Sequence, residues 1–221
     1  SLELYGIHTD GAMQEYFTAP VALLLPAQKL TDSQIALVEP LAIGAHAVKR
    51  AQLLEDETIV VLGCGPIGLG LMKFAKLAGT TVIAMDLNQE RLDYAKNVMG
   101  VDYTVLAGEN AVSEICEITN GDMATAVFDC TGHKDAMEAG PDYMAHGGRY
   151  ILVGLYKGSL SFEHPAIHKK ETTIICSRNA ALEDFEYVVE VLENGDFPTD
   201  SFITHNVDFT EMIANFESWL D

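Results

Sequence analysis

The segment Gly63-Cys64-Gly65-Pro66-Ile67-Gly68 most restricts how this chain can fold. It follows the β-branched apolar run Ile59-Val60-Val61-Leu62. It precedes Leu71, Phe74, Ala75 and Ala78, which recur at helical spacing until Gly79. A buried strand that breaks on glycine and turns at once into a helix is the start of a βαβ unit. Each glycine has its own reason. Gly63 permits the tight turn, Gly65 lets an anionic ligand approach the backbone, and Gly68 lets the helix lie close to the strand. Pro66, Ile67 and Gly68 open the helix, whose unpaired N–H groups and partial positive charge suit a pyrophosphate.

The rhythm continues downstream. Val82-Ile83-Ala84-Met85 reads as a second strand, 89–99 as a helix, 103–106 as a strand and 111–119 as a helix. Strands at 124–128 and 150–153 flank a helix at 134–144, and 172–176 forms a sixth strand. Strands alternating with helices at this spacing predict right-handed crossovers and a doubly wound parallel α/β sheet over residues 55–178. Such sheets bind ligands outside the carboxyl ends of their strands. Asp86 ends the second strand about 20 residues past the glycines, where a carboxylate accepts hydrogen bonds from ribose hydroxyls. It would repel a 2′-phosphate, and the following Leu87-Asn88-Gln89 supplies no cation for one. The expected ligand is therefore NAD rather than NADP. Arg91 is a candidate to stack on the adenine face, the alternative being a solvated helix charge. Thr131, after the fourth strand, is a candidate hydrogen-bonding partner of the cofactor. The backbone at Val153 and Leu155, after the fifth, is a candidate holder of the nicotinamide amide. Cys130 reads as a small buried apolar residue rather than a nucleophile.

Composition narrows the partners. The chain has 13 Lys+Arg against 33 Asp+Glu, a formal charge of −20, which disfavours nucleic acid and anionic membrane surfaces. No apolar run approaches the roughly 20 residues of a membrane helix. The start, Ser1-Leu2-Glu3-Leu4-Tyr5, has no signal-peptide pattern and no Met, so a processed, trimmed or fragmentary chain is expected. The four cysteines, Cys64, Cys116, Cys130 and Cys176, show no C-x-x-C spacing, which favours reduced thiols and a cytoplasmic location.

The flanks break the rhythm. Glu15-Tyr16-Phe17-Thr18 is strand-like. A helix over 33–53 is expected to break or kink at Pro40 and Gly44. Phe185, Val188, Val189 and Leu192 mark a helix that ends near Gly195. A strand is expected at 202–207, then a helix carrying Phe209, Met212, Ile213, Phe216 and Leu220, with Asp208 and Glu211 as its capping box. The divisions expected are 1–44 and 179–221 as parts of a second, split domain around a cofactor domain at 45–178.

Several segments, in order, carry a family likeness: Asp10-Gly11-Ala12-Met13-Gln14-Glu15-Tyr16 with Pro20, Val38-Glu39-Pro40-Leu41-Ala42-Ile43-Gly44-Ala45-His46-Ala47, the glycine turn, Asp86 with Arg91-Leu92, and Ile203-Thr204-His205. The chain resembles the zinc-dependent medium-chain alcohol dehydrogenases. Glu-Pro-Leu points to their polyol branch, which includes sorbitol, threonine and sugar-acid dehydrogenases such as those acting on L-galactonate. The resemblance implies a Rossmann domain with remnants of a discontinuous GroES-like catalytic domain. It implies hydride transfer from a secondary alcohol to NAD, with zinc as Lewis acid. Glu39 inherits a place at or beside that zinc, as catalytic residue and metal ligand, and Ile43 packs behind the nicotinamide. The family's other zinc ligands lie upstream of the Asp10 segment, so this chain is expected to bind NAD, to hold zinc weakly and to turn over little alone. The implied substrate is a polyol or sugar acid, and the implied assembly a dimer or tetramer joined through an edge strand sought at Gly158-Ser159-Leu160-Ser161-Phe162. His46, His164 and His168 read as structural or surface residues, and His205 as part of a strand. The competing readings are an S-adenosylmethionine-dependent methyltransferase, a non-catalytic nucleotide-binding or oligomerisation module, and a zinc-free medium-chain reductase.

Overall fold

The computed structural model describes residues 3–219. The opening Ser1-Leu2 and the Leu220 assigned to the last helix lie outside the described residues.

Six parallel strands, β1 (Thr58–Leu62), β2 (Thr81–Asp86), β3 (Tyr103–Leu106), β4 (Ala124–Asp129), β5 (Met144–Leu152) and β6 (Thr173–Cys176), form one sheet in the order β3-β2-β1-β4-β5-β6. The near-continuous apolar runs follow from burial on both faces. Ile59 and Val61 of β1 enter one core, with Val82, Ala84 and Phe128, while Val60 and Leu62 enter the other, with Ile83, Met85 and Val127. That alternation is the two-residue period of a strand read on a sheet covered twice.

The first core is roofed by α1 (Asp32–Ala51), α2 (Pro66–Leu77) and α7 (Leu182–Glu193). Thr31 caps α1 reciprocally with Gln34: the Gln34 amide donates to Thr31 Oγ1 (3.3 Å) and the Thr31 amide to Gln34 Oε1 (2.9 Å). The helix then runs unbroken through Pro40 and Gly44, contrary to the break expected there. Packing decides this. A Cβ on Gly44 would stand 2.8 Å from the Leu71 amide, and one on Gly70 would stand 2.7 Å from Leu41 Cδ2, so the glycines let α1 and α2 cross backbone to backbone. Burying Leu37, Leu41, Ala42 and Ala45 outweighs the proline penalty of about 3 kcal/mol, since one buried leucine contributes about 2 kcal/mol. The expected boundary at residues 44–45 falls inside this helix.

On the other face, α4 (Ala111–Ile118) supplies Ala111 and Ile115 to the second core, while α5 (Lys134–Ala139) leads through a 3-10 turn at Gly140–Tyr143 into β5. The predicted helix at 89–99 is present as α3 (Gln89–Tyr94) continued by a π-helical stretch, Ala95–Met99, that stops at Gly100 with φ +75°.

Four expectations in the periphery need correction. The 15–18 segment is not a strand, and the 202–207 segment is α8 (Thr199–Phe202) followed by irregular chain that includes His205. A strand is stable only beside a partner, and neither segment has one among the described residues. The 158–162 segment is also irregular; the sheet's edges are β3 and, after α6 (His164–Lys169), β6. The final helix is three short pieces, a 3-10 turn at Phe209–Glu211, α9 (Met212–Asn215) and a 3-10 turn at Phe216–Trp219. Asp208 does cap it, but onto Thr210, whose amide and hydroxyl both donate to Asp208 Oδ1, rather than in a box with Glu211.

Candidate cofactor-binding site

Leu62 at the end of β1 lies in register with Met85 on β2 and Asp129 on β4, and Asp129 with Leu152 on β5. The carboxyl ends of four strands thus stand level. The strand order reverses between β1 and β4, the place where crossovers diverge to opposite faces and leave a crevice. The crevice here has a volume of about 710 Å³.

The glycine turn forms its floor. Gly63 has φ +96°, a conformation that disfavours side chains, and its amide donates to the Met85 carbonyl (2.8 Å). A Cβ on Gly68 would stand 1.9 Å from the Gly63 carbonyl oxygen. Gly65 differs: its φ is −77° and a Cβ there would meet nothing within 4 Å. Neither backbone nor packing requires glycine at 65, so space for a ligand is the remaining physical reason. Pro66 opens α2 and no side chain caps the helix, so its first-turn amides face outward unpaired, as an anion needs.

Asp86 reaches from the tip of β2 to this turn. Its Oδ2 accepts from the Cys64 amide (2.6 Å) and its Oδ1 from the Asn88 amide (2.9 Å). Gly63, Gly65, Asp86, Arg91 and Thr131 all line the crevice, with Leu62, Met85, Ala107 and Ala139 as its apolar walls. Pro66, Ile67 and Gly68, in the first turn of α2, are not among its lining residues. Val153 and Leu155 lie at the tip of β5 beside the crevice; the Val153 side chain packs on the core, and Leu155 is 81% exposed. Ile43 is half-buried and Glu39 exposed, one turn apart on α1, away from the crevice lining.

Four residues of this region escaped the reading of the sequence: Asp129, His133, Asp135 and Tyr143. Asp129 carried a signal, an acid closing a strand as Asp86 does. It is wholly buried. Its Oδ2 accepts from the Thr131 hydroxyl (2.7 Å) and its Oδ1 from the Thr131 (3.2 Å) and Gly132 (3.0 Å) amides. Burial raises its pKa, only partly opposed by these donors. The Thr131 hydroxyl is thereby committed to Asp129 and accepts from the His133 amide (3.0 Å), leaving its methyl towards Gly63. The Cys64 thiol is pushed up to about 12 by burial and by the Asp86 charge, and burial raises Cys130 likewise; both stay protonated and inert.

His46 is a structural residue, its Nδ1 2.7 Å from Oδ2 of the buried Asp184 at the start of α7. His164 and His168 are exposed neighbours on α6. Among the described residues no group of three or more His, Cys, Asp and Glu side chains converges as a metal site. Glu39 alone does not fit a zinc ion, which takes about three protein ligands at a catalytic centre.

A parallel sheet in 3-2-1-4-5-6 order, a glycine turn under a helix N-terminus and an acid closing β2 define a Rossmann dinucleotide-binding domain. The chain belongs to the zinc-binding dehydrogenase family, whose model matches residues 66–194. It is 37% identical over 98% of its length to L-galactonate-5-dehydrogenase of Escherichia coli K12, covering 64% of that protein. It is 31% identical over 99% of its length to erythritol/L-threitol dehydrogenase of Mycolicibacterium smegmatis, covering 61%. The structure of a short chain alcohol dehydrogenase from E. coli CFT073 complexed with NADH superposes with a TM-score of 0.86 at 27% identity, over 97% of this chain and 65% of that one. The chain thus spans less than two thirds of the length of these relatives. The methyltransferase alternative finds no support among them.

Proposed function

We propose that the chain is the NAD-binding part of a dehydrogenase that exchanges hydride between NAD and a secondary alcohol carbon of a polyol or sugar acid. The observation that carries this reading is Gly65, a glycine with an ordinary φ and open space beside it, set between an uncapped helix N-terminus and Asp86. In the bound state the first-turn amides of α2 would hold the pyrophosphate. Asp86 would exchange its Cys64 contact for the ribose hydroxyls, and Arg91 would cover the adenine. The 153–155 loop would hold the nicotinamide amide, with Ile43 behind the ring and Thr131 flanking the cofactor through its methyl. A zinc ion, when bound in a protein of this family, supplies Lewis acidity that lowers the alcohol pKa; Glu39 would stand beside it.

The relatives' names support a polyol or sugar acid as substrate, and the sugar-acid relative is the more similar of the two compared. The exposed edge of β6, with Ile174 open to solvent, supports pairing of two subunits across the sheet. Four free cysteines support a reducing, cytoplasmic setting. We read 1–44 and 179–221 as contributions to the second domain and 45–178 as the cofactor domain.

Titration with NADH and NADPH, followed by quenching of Trp219 or by calorimetry, tests this. NADH should bind in preference to NADPH, and Asp86→Ala should abolish the preference. Equal affinity for both in the unaltered chain would refute the role of Asp86, and binding of neither would refute the reading itself.

A further inference from the structure

Beneath the crevice, next to its lining residues Cys130 and Thr131, lies a carboxylate that the cofactor reading does not use. Asp129 is buried, yet no ion pair reaches it among the described residues. It sits where the 130–132 and 153–155 loops meet. Its carboxylate takes the Thr131 hydroxyl and the Thr131 and Gly132 amides, while its carbonyl oxygen takes the Val153 and Gly154 amides, both at 2.9 Å. Nothing separates the loops: a Cβ on Gly154 would stand 2.3 Å from the Gly132 amide and 2.8 Å from Asp129 Oδ1. The carboxylate therefore lies directly against the 153–155 loop.

A neutral asparagine could satisfy the two amides equally well, so the turn alone does not demand a charge. An uncompensated buried charge acts strongly on any charge that enters its surroundings. The oxidised nicotinamide ring carries one positive charge, and it loses that charge when it accepts hydride from the alcohol carbon.

We infer that Asp129 selects the oxidation state of the cofactor, its unpaired carboxylate beneath the 153–155 loop favouring NAD+ over NADH. This rests on the placement of the nicotinamide proposed above. The ionisable groups facing Asp129 are His133 across its own loop, Cys130 beside it and Tyr150 from β5. Burial keeps the Cys130 thiol and the Tyr150 hydroxyl protonated, so His133 is the neighbour that the test replaces.

The test is the ratio of Kd for NAD+ to Kd for NADH in the unaltered chain, Asp129→Asn and Thr131→Val. Asp129→Asn should weaken NAD+ relative to NADH by roughly tenfold, the scale of one charge acting across a partly solvated site. Thr131→Val, which loosens the same turn and keeps the charge, should move both constants together and leave the ratio unchanged. Should Asp129→Asn not fold, the ratio is followed in His133→Gln as the pH is lowered from neutral; protonation of Asp129, which burial favours, should weaken NAD+ selectively. An unchanged ratio in Asp129→Asn, or in the pH series, overturns the inference. Failure of the unaltered chain to bind either form would instead remove the cofactor reading on which it rests.

Discussion

Gly65 and Gly68 belong to one motif but answer to different forces, and exchanging each for alanine separates them. A methyl on Gly68 would sit 1.9 Å from the Gly63 carbonyl oxygen, a backbone atom that cannot swing aside. Relieving that overlap requires moving the turn or the start of α2, at about 3 kcal/mol. For a chain of this size that lowers Tm by about 10 °C. A methyl on Gly65 meets nothing within 4 Å and its φ of −77° suits alanine. The loss of a helix N-cap glycine, below about 1 kcal/mol, is offset by the reduced freedom of the unfolded chain. Gly65→Ala should therefore melt within about 2 °C of the parent. Its methyl would occupy the path of the pyrophosphate, so its NADH affinity should fall about 10- to 100-fold. Thermal melts and NADH titration of both variants read the two effects independently. A Gly65→Ala variant that binds NADH as tightly as the parent would refute the location of the pyrophosphate. A Gly68→Ala variant of parental stability would refute the packing argument.

Other consequences follow from the same structure. His46→Ala removes one partner of the buried Asp184 carboxylate between α1 and α7, leaving Lys49 at 3.7 Å and the Ala181 amide at 2.8 Å, and should cost about 1 kcal/mol in a urea titration while leaving NADH affinity unchanged. Asp102 lies partly buried, which raises its pKa, but Lys76 Nζ and the Val82 amide outweigh that and hold it below 3.8. Its ionised form therefore stabilises the fold above the unfolded value, and that contribution disappears as pH falls through the depressed value. The stability gap between the parent and Asp102→Asn should accordingly be open at neutral pH and close below about pH 4; a gap independent of pH would contradict the assignment. Ile174→Lys on the open edge of β6 should shift a dimer to monomer in light scattering without lowering Tm, whereas an unaltered mass would place the subunit contact elsewhere.

The central sheet was legible because its information is local. The β-branched runs of β1 and β2, the glycine turn between β1 and α2, and Asp86 at the end of β2 all follow from periodicity and turn chemistry within a few residues. The periphery was not legible, for a physical reason in each case. Pro40 and Gly44 read locally as helix breakers, yet contact with Gly70 and Leu71, far along the chain, turns the same glycine into a packing surface. The 15–18 and 202–207 segments have strand composition, but a strand exists only through hydrogen bonds to a neighbour that composition does not supply. Asp129 shows the same divide within the site. Its residue type and its place at a strand end were visible in the chain. Its burial, the lack of an ion pair to it among the described residues and its position against both the 130–132 and 153–155 loops arise from the register of β1, β4 and β5. Local chemistry thus specified the strands, the turn and the cofactor class. Long-range packing specified which helices persist, where the sheet ends and what carboxylate lies beneath the 153–155 loop, since those depend on atoms brought together from distant parts of the chain.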